Sequence, residues 1–276
     1  MPNRIDERLA RLRSAGRKGF IPYICAGDPN LKMTVELVRA LETAGADLVE
    51  LGIPFSDPLA DGTVNQLAAQ RALDAGATVR GVLDCVGSIR AKSDMPIVLY
   101  TYFNPIIQFG LERFHQEAEA AGVDGLLILD LPPEEEPSNT PKLDRSIRSS
   151  LQSNVLHIRL VAPTTIPDRI AVIAKNARGF LYYVSREGVT GARDRIVASL
   201  DERIAEIRKV SNLPVAVGFG ISNPEQAGKV AQIADAVVVG SAIVDLIAKH
   251  GTKADLIEQV SSFASQLATA IHDTNR

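Results

Sequence analysis

The 276-residue chain has no tryptophan, only two cysteines and 5% aromatic residues. Cys25 and Cys85 carry no metal-ligand spacing and make no disulfide framework, so both read as small buried apolar residues of a reducing compartment. No stretch approaches the about 18 uninterrupted apolar residues of a transmembrane helix. The N-terminal MPNRIDERLARLRSAGRKGF is charged and helical in pattern, without the apolar stretch of a secretory signal, so a cytoplasmic location is expected. There is no long basic run, and a formal net charge of −3 excludes a general nucleic-acid or membrane-surface binder. His115, His157, His250 and His272 are scattered, with no metal spacing and no nucleophile motif beside them; His115 and His250 read as helix-surface residues. Lysines are missing from the expected strand ends, which counts against Schiff-base chemistry. No G-x-G-x-x-G opens a helix after the first strand, so a dinucleotide site has no support.

What is present is an ordinary globular composition, 46% hydrophobic and 23% charged, at a length typical of one large α/β barrel. Eight short apolar or β-branched runs recur, most of them starting about 20 to 35 residues apart: GFIPYICAG (19–27), ADLVELG (46–52), MPIVLYTY (95–102), DGLLILD (124–130), VLHIRLVAP (155–163), GFLYYVS (179–185), LPVAVGFG (213–220) and ADAVVVG (234–240). Between most of them lie segments of helical spacing that stop at a glycine, such as MTVELVRALETAG (33–45) and LERFHQEAEAAG (111–122). This alternation implies parallel strands joined by right-handed crossovers. Eight units without a break in composition predict a (β/α)8 barrel spanning 1–276 as a single domain, with IDERLARLRSAG as an extra helix closing its bottom. LPPEEEPSNTPKLDRS (131–146) follows the fourth strand and is either a solvated loop or a docking or lid segment.

The chemistry centres on LVELGIPFSDPLADG (48–62). An unpaired charge in a core costs several kcal/mol in effective terms, so Glu50 in the middle of an apolar strand either points outward or lines a site that uses it. With Leu48 inward, Glu50 is inward too, near the carboxyl end of strand two, where barrel active sites lie. Asp61 follows on a loop restrained by Pro54 and Pro58, whereas Asp57 reads as turn chemistry. Two carboxylates in unequal environments separate in pKa and divide acid–base work between them. Glycine-rich stretches end strands six to eight: SREGVTGAR (185–193), VGFGIS (217–222) and VVGSAI (238–243). In barrels, the loops after strands seven and eight bind phosphate through backbone N–H groups, with Ser222 and Ser241 as further donors here. Tyr100, Tyr102, Tyr182, Tyr183 and Phe219 cluster near strand ends and are either core or the walls of a flat apolar pocket. The residues thus describe a barrel enzyme for a phosphorylated substrate with an apolar ring, using carboxylates and needing no metal.

LVELGIPFSDPLADG, the GDP at 27–29, SREGVTGAR, GFGIS with PEQ after it, and GSAIV together resemble the tryptophan synthase alpha chain family over essentially the whole chain. The resemblance implies retro-aldol cleavage of indole-3-glycerol phosphate to indole and glyceraldehyde 3-phosphate, with Glu50 and Asp61 as the catalytic carboxylates. It places Tyr102, Tyr182, Thr190 and Phe219 in the substrate pocket and Gly191, Gly220, Gly240 and Ser241 around the phosphate. It implies no cofactor in this chain, a beta-chain partner carrying pyridoxal phosphate in an alpha2beta2 heterotetramer, and Pro54, Asp57 and the 131–137 loop on the docking side. Glu187, Thr63, Arg159 and the composition of 131–146 depart from the family pattern without removing a catalytic group. Two other readings stand beside it: a stand-alone lyase releasing free indole, and a barrel that only activates a partner.

Overall fold

The computed structural model describes residues 2–135, 154–184, 193–218 and 220–275. Eight parallel strands, β1 to β8, close into a barrel in sequence order: Gly19–Cys25, Val49–Gly52, Ile97–Thr101, Gly125–Ile128, Leu156–Val161, Leu181–Val184, Val215–Gly218 and Ala236–Val239. Closure comes from β1 against β8, with Gly19 opposite Ala236 and Pro22 opposite Val239. All eight strand expectations fall on these elements. Helices α1 to α11 cover Arg4–Ser14, Leu31–Thr43, Thr63–Asp74, Val79–Arg90, Phe103–Phe109, Leu111–Ala121, Pro167–Lys175, Arg193–Val210, Pro224–Ala231, Ser241–His250 and Leu256–His272.

The strand pattern divides the apolar residues into two layers. Ile21, Leu48, Val98, Leu127, Ile158, Ala216 and Val238 meet inside the barrel. Phe20, Val49, Leu51, Leu99 and Val237 face outward against α2, α4 and α11. Helix α1 closes the amino-terminal end as expected. Its Ile5, Leu9 and Leu12 are buried against the inner layer and Phe180.

One device at this floor recurs around the barrel. Asp47 accepts from the Phe20 N–H, Asp124 from Ile97 N–H and Asp235 from Val215 N–H, each at 2.9 Å. Each aspartate immediately precedes a strand or stands two residues ahead of it, and it caps an N–H at the start of the neighbouring strand. The pattern lies in the sequence as ADL, VDG and ADA, with each aspartate inside an expected run. It satisfies strand-end donors that would otherwise be buried unpaired.

Several expectations change. His115 is not a surface residue: it is 4% exposed on the inner side of α6 and stacks on His157 at 5.9 Å between ring centroids. Burial lowers the pKa of both rings, that of His157 to about 4. Arg159, the departure in strand five, lies off the barrel interior, since on β5 it alternates with inward Ile158. It donates to the Leu131 carbonyl at 3.2 Å, and burial brings its pKa down to about 10. Thr63 begins α3 behind Gly62 without forming a side-chain cap. Of the acidic loop after β4, residues 131–135 are described; Pro133–Glu135 form a single 3-10 turn whose Glu134 pairs with Arg169 of α7.

Candidate active site

At the carboxyl-terminal mouth the barrel opens into a cavity of about 610 Å³. Glu50 faces it from β2, together with Tyr23 of β1, Tyr100 of β3 and Tyr182 of β6. Strand parity puts them there: Tyr23 is two residues beyond inward Ile21, and Glu50 two beyond inward Leu48. The aromatic rings are close-fitted. A Cβ on Gly52 would come within 2.5 Å of the Tyr23 hydroxyl, and one on Gly218 within 2.0 Å of the Tyr182 hydroxyl. Glycine at 52 and 218 therefore makes room for the two phenols.

Glu50 is fully buried, and neither carboxyl oxygen has a hydrogen-bond partner among the described residues. Burial pushes its pKa from 4.5 up to about 8, so the group is predominantly protonated at neutral pH. The surrounding phenols of Tyr23, Tyr100 and Tyr182 are also raised by burial and stay neutral.

Asp61 is handled differently. Its two oxygens accept from the Tyr100 hydroxyl at 3.0 Å and the Tyr102 hydroxyl at 2.7 Å. It sits at the cavity edge next to Gly62, which lines the wall. The loop leading to it is fastened by its own bonds: the Asp61 N–H reaches the Pro58 carbonyl, and Gln66 of α3 donates to the Asp61 carbonyl at 3.0 Å. Asp57 is exposed and accepts from Ser56, in keeping with its reading as a turn residue.

The cavity is also bounded by Gly220, Gly240 and Ser241. Ser241 begins α10 behind Gly240, so the first N–H groups of that helix, which have no intrahelical acceptor, open on this side. Ser222 does not join them, since its N–H and hydroxyl both bond the Gln226 side chain. Tyr102 is not part of the cavity wall but of the grip on Asp61, and Tyr183 turns outward against α7 and α8. Thr190, Gly191, Phe219 and Glu187 lie outside the described residues. The sequence reading missed Tyr23 as a site residue, although its parity with Ile21 marked it. It also missed Asn65, whose buried Oδ1 lines the cavity without a partner among the described residues. Among the described residues no group of three or more His, Cys, Asp or Glu side chains could hold a metal ion, and no helix is long and apolar enough to cross a membrane.

A carboxylic acid kept neutral by burial and turned toward an open cavity is how a barrel presents a general acid at its strand ends. By fold and site, then, the chain is a (β/α)8-barrel enzyme of the acid–base class. Comparison with known proteins narrows this. The family model described as tryptophan synthase alpha chain matches residues 9–272. The tryptophan synthase alpha chain of Geobacter sp. (strain M21) is 47% identical over 270 residues, covering 98% of both chains. That of Opitutus terrae is 48% identical over 266 residues, 96% of this chain and 97% of its own. The crystal structure of tryptophan synthase subunit alpha from Legionella pneumophila str. Paris superposes with a TM-score of 0.87 at 38% identity, covering 98% of this chain and 99% of that one. The chain belongs to the tryptophan synthase alpha chain family. The reaction is a carbon–carbon lyase step of tryptophan biosynthesis, the retro-aldol cleavage of indole-3-glycerol phosphate.

Proposed function

We propose that Glu50 and Asp61 carry out this cleavage in the cavity at the barrel mouth. The observation that carries the reading is Glu50: a fully buried acid, without partners and neutral at pH 7, faces the space where a substrate ring would lie. Glu50 delivers its proton to indole C3, which makes a cationic indolenine. Asp61 accepts a hydrogen bond from the ring N–H and stabilises that charge. The ionised Glu50 then takes the proton of the side-chain hydroxyl next to the reacting bond. As the C–C bond breaks, its electron pair returns to the indole ring and the hydroxyl carbon becomes the aldehyde of glyceraldehyde 3-phosphate. The N-terminus of α10 with Gly240 and Ser241, and the backbone at Gly220, suits the phosphate. Tyr182 packs beside Glu50 as a wall for the ring. By family resemblance Thr190, Gly191 and Phe219 complete the site.

The whole chain, residues 1–276, is read as one cytoplasmic domain. It works with a beta chain in an alpha2beta2 heterotetramer, and pyridoxal phosphate belongs to that partner. Pro54, exposed Asp57 and the loop after β4 are on the side proposed for docking. The test is indole release from indole-3-glycerol phosphate by the purified chain, with and without a beta chain. We expect a slow rate that rises by orders of magnitude with the partner. In Glu50→Gln it should fall about 10³-fold in both settings, with substrate still bound. A fast rate unmoved by the partner would make the protein a stand-alone lyase, and an active Glu50→Gln would remove Glu50 from the chemistry.

A further inference from the structure

Asp61 does not itself form the cavity wall; two phenols hold it at the edge, and they differ in origin. Tyr102 stands at the N-cap of α5, and its oxygen also accepts from the Ala60 N–H at 3.0 Å, so it belongs to the fastening of the Asp61 loop. Tyr100 lies within β3. Its backbone is in register with Gly52, and its carbonyl accepts from the Ile53 N–H at 2.9 Å. Its ring meets Tyr23 edge-on at 4.9 Å, and Tyr23 in turn packs over Gly52. A ring restrained by a strand ladder on one side and an aromatic edge on the other keeps few rotamers, so its hydroxyl is delivered to one place.

Among the described residues, Tyr100 alone both lines the cavity that Glu50 faces and hydrogen-bonds the Asp61 side chain. We propose that Tyr100 is a positioning residue for the cleavage: its hydroxyl ties one oxygen of Asp61 to the cavity edge and so sets the direction of the carboxylate toward the substrate ring. The inference rests on Asp61 being the group that stabilises the indolenine cation. Tyr102 alone would leave the carboxylate free to swing about its single remaining bond. With both phenols in place the two oxygens are held at once, while each retains a lone pair for the ring N–H. Such preorganisation stabilises a developing charge without a reorganisation cost during the reaction.

The experiment compares Tyr100→Phe, Asp61→Asn and the double variant, in steady state with the beta chain and in single turnover with enzyme in excess. Phenylalanine keeps the ring packing and removes only the hydroxyl, and an unchanged melting temperature checks this. Loss of one hydrogen bond to a charged group predicts a kcat about tenfold lower. KM should stay within about twofold of the parent value, because ground-state binding does not use this bond. In the Asp61→Asn background, Tyr100→Phe should slow the reaction no further. A normal kcat in Tyr100→Phe beside a large loss in Asp61→Asn would overturn the proposal and leave the role of Asp61 standing. Equal slowing by Tyr100→Phe in both backgrounds would also overturn it, since Tyr100 would then act independently of Asp61. A near-normal rate in Asp61→Asn would sink the reading of Asp61 itself, and this proposal with it.

Discussion

The barrel buries acids at both ends and treats them in opposite ways. At the floor, Asp47 is 4% exposed and accepts from Phe20 N–H and His272, with Arg8 nearby; Asp124, 3% exposed, holds Ile97 N–H, Arg4 and Arg90. At the mouth, Glu50 is equally buried, yet its oxygens meet no donor among the described residues. The floor acids have replaced their lost hydration with protein partners, so they stay compatible with burial as part of the scaffold. Glu50 has not, and it keeps its proton instead. Burial alone therefore does not single out a candidate carboxylate; burial without partners, facing a cavity, is what supports the role proposed for Glu50.

Substitutions at the two ends should separate along this line. The largest effect is expected at the mouth, where Glu50→Gln removes the transferable proton. Turnover should fall about 10³-fold while thermal stability holds. At the floor, Asp124→Ala leaves the Ile97 N–H unpaired and removes the carboxylate from Arg4 and Arg90, although Arg90 keeps the carbonyls of Gly122, Ser93 and Met95. It should cost about 1–3 kcal/mol of stability, read from chemical denaturation. The turnover of the molecules that remain folded should be unchanged. If Asp124→Ala lowered kcat at full stability, the division into scaffold and site acids would fail. An effect of similar size is expected at Gly218. A methyl there would sit 2.0 Å from the Tyr182 hydroxyl, so Gly218→Ala has to push the ring aside. The strain should cost about 1–3 kcal/mol, and indole release should slow because Tyr182 stands beside Glu50. An unaltered rate would show that the position of Tyr182 does not matter to the acid.

How much of this the sequence carried depended on the range of the interaction. Local spacing is enough for the eight runs and the inward side chain of Glu50, read from residues two positions apart, and for the helix plugging the floor, read from residues three and four apart. The same rule would have found Tyr23 from Ile21. Tyr183 reads as either core or pocket wall, and alternation with inward Tyr182 already points to the core; His115 misleads because it lies on a helix, where residue type alone suggests a surface position. Tyr183 shares a strand with Tyr182 but faces the helices. His115 looked polar in sequence, but it lies on the side of α6 that packs against β5. The grip on Asp61 was hidden for a different reason. Tyr100 and Tyr102 come from 39 and 41 residues away, and only closure of β2 against β3 brings them to the loop. The aspartate caps of the floor had the same origin. Each ADL-like triplet is unremarkable until the neighbouring strand presents its first N–H.

Glu50 carries a proton at neutral pH, whereas the floor acids are fastened by their partners. The direct measurement is the carboxyl stretch of Glu50 by infrared difference spectroscopy across a pH titration, with Glu50→Gln as the reference. Because burial raises this pKa, the acid is neutral below the transition and ionised above it, and kcat/KM should decline as pH rises through the same range. A protonated band that titrates at about pH 8 and is missing from Glu50→Gln is expected. A Glu50 already ionised at pH 6 would contradict this.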